Sequence, residues 1–173
     1  MRALVVYESM YGNTRDLAAA MADGLSARGA TVELVDADAA PAELTGRFDL
    51  VVAGAPTHAF SLPKPQSRAD AARRLDDGAL VSTGTGVREW ADRVVLDKGQ
   101  PTATFDTKVD KPRLPGSAAR SAARRLRDRG ATIIGSRTFH VHGAFGPLVD
   151  GERERAREWA ANLVIDAAIH RVS

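Results

Sequence analysis

Two short runs constrain this chain more than anything else in it: "ALVVY" at 3–7 and "DLVVAGA" at 49–55 are rich in β-branched residues and almost continuously apolar. A strand with one wet face alternates polar and apolar positions. A run that is apolar at both sets of positions needs cover on both faces, which is the condition of a central strand in a parallel sheet. The segments 31–37, 102–109 and 131–141 read as three further strands. Between them the period changes to that of helices. Leu17, Ala18, Met21, Ala22 and Leu25 form one stripe ended by Gly29, and a short helix is predicted near 86–94. A helix from about Ser117 turns Ala119, Ala122, Ala123 and Leu126 inward and Arg120, Arg124 and Arg127 outward. The last, from about Glu152, buries Ala156, Trp159, Ala160, Leu163 and Ala167. Strands alternating with helices imply βαβ units with right-handed crossovers, and five strands predict an α/β sandwich with the parallel order 2-1-3-4-5.

The 173 residues suffice for one domain spanning 1–173. The chain has no cysteine, which excludes disulfides, thiolate metal sites, a redox dithiol and a cysteine nucleophile. Redox chemistry would therefore have to come from a bound cofactor. No stretch reaches 18 apolar residues and the N-terminus runs directly into a strand, so a soluble, cytoplasmic protein with no membrane partner is expected. The net charge of +2 is uneven, with Lys108, Lys111, Arg113, Arg120, Arg124, Arg125, Arg127 and Arg129 facing only Asp110 and Asp128 over 108–129. Without interleaved aromatics or a known module, this reads as a solvated helix face and not as a nucleic-acid site. One segment breaks the rhythm. The long connection at about 61–85 is stiffened by Pro63 and Pro65, and "SRAD" predicts a short helix over 67–75 capped by Ser67. It is the candidate lid or partner-contacting flap.

Open α/β sheets bind ligands beyond the carboxyl ends of their strands, where strand order reverses. Three loops are expected to meet there: "SMYGNT" (9–14), "PTHAFSLPKP" (56–65) and "DTKVDKPRLPG" (106–116). In the first, Gly12 permits close backbone approach, Ser9, Tyr11 and Thr14 offer hydroxyls, and Asn13 offers an amide. The positive end of the next helix would face an anion. The Walker pattern and its lysine are absent, so a nucleoside triphosphate is not the ligand. On these residues two readings stand side by side: a nest for one phosphate monoester, and a strand-to-helix turn in which Asn13 or Thr14 merely caps. "HVH" (140–142) sets His140 and His142 on one face of a strand, but no matched ligands accompany them, so no metal site is expected.

"SMYGNT" resembles the phosphate loop of the flavodoxin family, and "GAPTHAF" (54–60) is similar to the family's second flavin loop. The strand and helix plan is similar over nearly the whole chain. The resemblance implies a flavodoxin-like three-layer sandwich that binds FMN. Ser9, Met10, Tyr11, Gly12, Asn13 and Thr14 would hold the phosphate. Pro56, Thr57, His58, Ala59 and Phe60 would line one side of the flavin ring, and Asp106, Thr107 and Lys108 would border the other. No residue is required as a catalytic acid or base, since the flavin carries the chemistry.

Two departures from the family's electron carriers bear on function. The loop after the fourth strand has no aromatic, and it carries Lys108, Lys111 and Arg113. Cations near the ring would favour an anionic reduced flavin and raise its potential. The preferred expectation is therefore an FMN oxidoreductase passing electrons from NAD(P)H or a protein donor to a small acceptor such as a quinone. The alternatives are a single-electron carrier without a substrate of its own, and a flavin-free interaction protein on the same fold. A deazaflavin would also suit these motifs.

Overall fold

The computed structural model describes residues 1–76, 78–112 and 115–172. Arg113 of the basic stretch, Leu114 of the third loop and position 77 of the long connection lie outside the described residues. The strands are β1 (Arg2–Tyr7), β2 (Thr31–Asp36), β3 (Leu50–Pro56), β4 (Pro101–Val109) and β5 (Thr132–Val141). The helices are α1 (Asn13–Ala27), α2 (Pro65–Ala72), α3 (Val87–Arg93), α4 (Ala118–Asp128) and α5 (Glu152–Val172). The strands form one sheet in the order β2-β1-β3-β4-β5, with every pairing parallel. This is the flavodoxin-like α/β fold, and its order reverses between β1 and β3.

The apolar runs are explained by the layers. In β1, Leu4 and Val6 join Val51, Ala53 and Ala55 of β3 on one face, under Val87 and Trp90 of α3 and Ala118, Ala122 and Leu126 of α4. On the other face, Ala3 and Val5 join Leu50, Val52 and Phe105 under Leu17, Met21 and Leu25 of α1 and Ala156, Ala160 and Leu163 of α5. Alternate residues thus serve opposite cores, so both central strands must be apolar throughout. Trp90 is fully buried, and its indole N–H donates to the Pro41 carbonyl at 2.9 Å.

In the long connection, α2 begins two residues before the expected start. Pro65 takes the first helical turn, where its fixed φ is already helical and its missing N–H costs nothing. Ser67 is consequently not the cap. It sits one turn in, and its Oγ accepts the Lys64 N–H at 2.8 Å. Among the described residues neither core cluster contains a side chain of α2. Within the described chain no helix is long and apolar enough to cross a membrane.

Candidate functional site

Beyond the carboxyl ends of β1, β3 and β4 lies a cavity of about 320 Å³. Its walls include Ser9, Met10, Tyr11, Asn13 and Thr14 after β1, Pro56, Thr57, His58 and Ala59 after β3, and Thr107 and Lys108 at the end of β4. The three loops named from the sequence therefore converge on one space.

The loop after β1 is shaped by Gly12, whose φ of 97° is left-handed and open to glycine at little cost. This turn directs the chain into α1, leaving the first N–H groups of the helix at the cavity. The Gly12 N–H donates to Ser9 Oγ at 3.1 Å. Thr14 Oγ1 lies 2.9 Å from Thr107 Oγ1, a buried hydroxyl pair that joins the loop to β4. Neither Asn13 nor Thr14 caps α1, because Gly12 holds the cap position without a side-chain bond. Tyr11 donates its hydroxyl to the Ala71 carbonyl of α2 at 3.1 Å, and its ring lies 4.7 Å from that of Phe145. Asn13 Nδ2 donates to the Phe145 carbonyl at 3.1 Å, so the β5–α5 loop packs on the same turn.

After β3, His58 and Ser61 exchange backbone hydrogen bonds of 2.9 and 3.0 Å, which makes a tight two-residue turn of Ala59 and Phe60. Both have positive φ, 44° and 68°, a region that an aromatic side chain rarely occupies. The turn projects Phe60 outward, 55% exposed. His58 is half-buried. Burial first, then the charge of Arg74, lowers its imidazole pKa below the usual histidine range.

Three of the residues named from the sequence stand apart from the cavity walls. Gly12 acts through its backbone, and Phe60 points to solvent. Asp106 is fully buried, and its Oδ2 accepts from Thr57 Oγ1 (2.9 Å), Ser117 Oγ (2.6 Å) and the Ala119 N–H (3.0 Å). It clamps the β3 loop to the start of α4. Lys108 lines the cavity while its ammonium donates to the Gly116 carbonyl at 2.7 Å.

The sequence reading named the long connection as a candidate lid or flap but none of its residues as lining the site. Ser67, Asp70, Ala71 and Arg74 line the cavity from α2 and the turn that follows it. Their spacing is that of one helical face, the signal that would have found them. Also missed was Glu8, the acid that follows β1. It is fully buried, with Oε1 accepting from Arg68 Nε at 2.6 Å and Oε2 from the Val87 N–H at 2.9 Å. Arg68 reaches onward to Glu89 at 2.7 Å. Burial holds the Glu8 carboxyl above the ordinary carboxylate range although Arg68 opposes it. For Glu89, partial burial pulls upward but is outweighed by Arg68, leaving it below that range. A Cβ on Gly86 would overlap Arg68 and Glu8, which accounts for the glycine there. Farther along, Val81 and Ser82 donate their N–H groups to the carbonyls of Met10 and Ser9 at 3.0 and 2.8 Å. The connection is thus pinned to the loop after β1 at the end of α2 and again at Val81 and Ser82.

These elements fit FMN. A neutral loop of hydroxyls and unpaired helix N–H groups matches a phosphate monoester, and the half-apolar walls from Met10, Pro56 and Ala59 match a flat ring.

A family model described as Flavodoxin matches residues 5–87, from β1 into α3. No curated protein matches the chain. Among solved structures, flavodoxin 1 from Bacillus cereus is 19% identical with a TM-score of 0.64, covering 95% of this chain and 98% of that one. A flavodoxin from Streptococcus pneumonia TIGR4 is 16% identical with a TM-score of 0.66, covering 95% and 99%. Two-electron reduced flavodoxin from Megasphaera elsdenii is 22% identical with a TM-score of 0.56, covering 92% and 98%. At these identities the likeness is one of fold.

Proposed function

We propose that this chain, whose residues 5–87 match the Flavodoxin family model, is an FMN-binding electron carrier exchanging electrons with redox partners. The reading takes residues 1–173 as one flavodoxin-like domain. It reverses the order of preference reached from sequence, in which a quinone-reducing oxidoreductase came first. The solved structures similar to this chain are mostly simple flavodoxins and not quinone reductases, which favours the carrier.

The observation that carries the proposal is the cavity at the β1/β3 switch point, where all three loops contribute walls. Bound FMN would supply the reversible acceptance of electrons. The protein's own part is to hold and enclose it. Ser9, Thr14 and the first N–H groups of α1 would anchor the phosphate, with Tyr11 and Asn13 completing the loop. Pro56, Thr57, His58 and Ala59 would bound the ring on one side, and Thr107 and Lys108 would reach its other edge. Asp106 would keep the β3 loop and α4 at fixed separation.

The test is a titration of the stripped protein with FMN and with riboflavin, followed by tryptophan and flavin fluorescence. FMN should bind, and riboflavin, which lacks the phosphate, should bind at least about a hundredfold more weakly, the scale of one or two charge-assisted hydrogen bonds. In Gly12→Ala the left-handed turn is strained by about 1–2 kcal/mol, and FMN affinity should fall with riboflavin affinity little changed. Equal affinity for the two flavins, or none for either, would remove the proposal.

A further inference from the structure

All of the chain's positive excess lies in one stretch, residues 108–129, which comprises the end of β4, the β4–α4 loop and α4. The stretch holds eight of the 24 Lys and Arg and two of the 22 Asp and Glu, leaving sixteen basic against twenty acidic residues elsewhere. The basic stretch begins at the cavity, where Lys108 lines it, and runs from there along α4 toward the other end of the sheet. Gly116 lies against the backbone of Phe60, where an added Cβ would overlap it. The Ala118 N–H donates to Thr57 Oγ1 at 2.9 Å.

Arg120, Arg124 and Arg127 lie exposed along the outer side of α4, in the spacing of one helical face. Within the described residues none of them forms an ion pair, whereas Arg125, on the flank, is paired with Asp92. This face is unfavourable by itself. Arg120 stands in the first helical turn, against the positive end of the helix dipole, and that turn contains no acid. Arg120 and Arg124 are like charges four residues apart. Phe60, whose backbone lies against Gly116 just ahead of α4, is exposed and held out by a turn whose backbone its side chain disfavours. Unrelieved like charge together with a strained, exposed aromatic is the composition of a docking surface with an apolar anchor and a charged rim.

We propose that the β4–α4 face and Phe60 form the docking surface for an acidic redox protein. Phe60 would be the anchor, with Lys111, Arg120, Arg124 and Arg127 meeting carboxylates around it. That the partner is a redox protein rests on the carrier reading. The surface itself rests on the charge distribution and on Phe60.

The probe is an acidic plant-type [2Fe–2S] ferredoxin, tested with the full chain both with and without FMN. Cytochrome c serves as the basic counterpart and a short DNA duplex as the competing polyanion. Association is measured by stopped flow and calorimetry at low salt and at about 0.3 M salt. Ferredoxin should bind, with an association rate that falls about tenfold or more in salt and again in R120E/R124E/R127E. Phe60→Ala should act on the dissociation rate instead. Unfolding curves of each variant establish that it is folded. Ferredoxin binding that ignores the triple reversal, or no ferredoxin binding at low salt, overturns the proposal. So does tighter binding of cytochrome c, or arginine-dependent binding of the duplex that exceeds that of ferredoxin. Ferredoxin captured by this face in a protein that refuses FMN would retain the acidic-partner surface and remove the carrier reading, so the two failures are separable.

Discussion

His58 shows how one side chain's surroundings set a pH response. Burial and the charge of Arg74 lower its pKa in the folded state, while the unfolded chain takes up the proton near the ordinary value of 6.5. The folded protein therefore binds fewer protons, and its stability rises with pH in this region. What His58 contributes is present above about 6.5 and is lost as pH falls toward its lowered folded value. Urea midpoints measured on either side of that window should show a decline toward acid pH that is smaller in His58→Gln. A His58→Gln profile that superimposes on the wild type would mean the imidazole is solvated in both states. At the same scale, residues 9–14 were legible because phosphate chemistry demands hydroxyls, glycine and a helix start in order. Phe60 and Asp106 could be placed beside the site but not oriented. Their directions depend on a two-residue turn and on hydroxyls that arrive from β3 and α4.

Helix α2 is the element whose place in the fold owes least to apolar packing. It buries Ala71, and it is held by Tyr11 and by the Glu8–Arg68–Glu89 network. Elements with few buried apolar contacts open locally at low free energy. Hydrogen exchange should therefore find the α2 amides among the fastest of the helical ones, well ahead of α1 and α5. Arg68→Ala would leave Glu8 buried and unpaired, a change that typically costs about 3–5 kcal/mol. It should lower the urea midpoint and release α2 amides further, whereas E8L/R68M should recover most of the loss. If Arg68→Ala leaves both readouts unchanged, the network does not secure α2. The sequence showed a capped helix here but gave no sign of its cavity-lining face. That role follows from Arg68 finding Glu8 across sixty positions of chain.

At the scale of the whole molecule, the first and last helices close one layer together, α1 lying along α5. Gly24 of α1 faces the backbone of Arg157, and a Cβ there would overlap its carbonyl. Backbone cannot yield as a flexible side chain can, so Gly24→Ala must part the two helices. Overpacking of this kind costs about 1–3 kcal/mol or more. Gly24→Ala should therefore lose thermal stability even though alanine is the better helix former, with FMN binding at the remote cavity retained. A gain in stability would mean that α5 shifts freely over the sheet.

The sequence by itself determined the strands, the helices and their order, because burial on both faces and helical period are local patterns written in consecutive residues. It also located the three loops, since chain order and parallel strands dictate which end of the sheet they share. Only the tertiary structure decided that the long connection supplies a fourth wall, that Asp106 works as a clamp, and that the basic stretch adjoins Phe60. Each of these depends on groups far apart in the chain meeting at a particular distance. Burial turns such meetings into strong constraints, because a charge or hydroxyl removed from water must find its partner wherever the fold brings one.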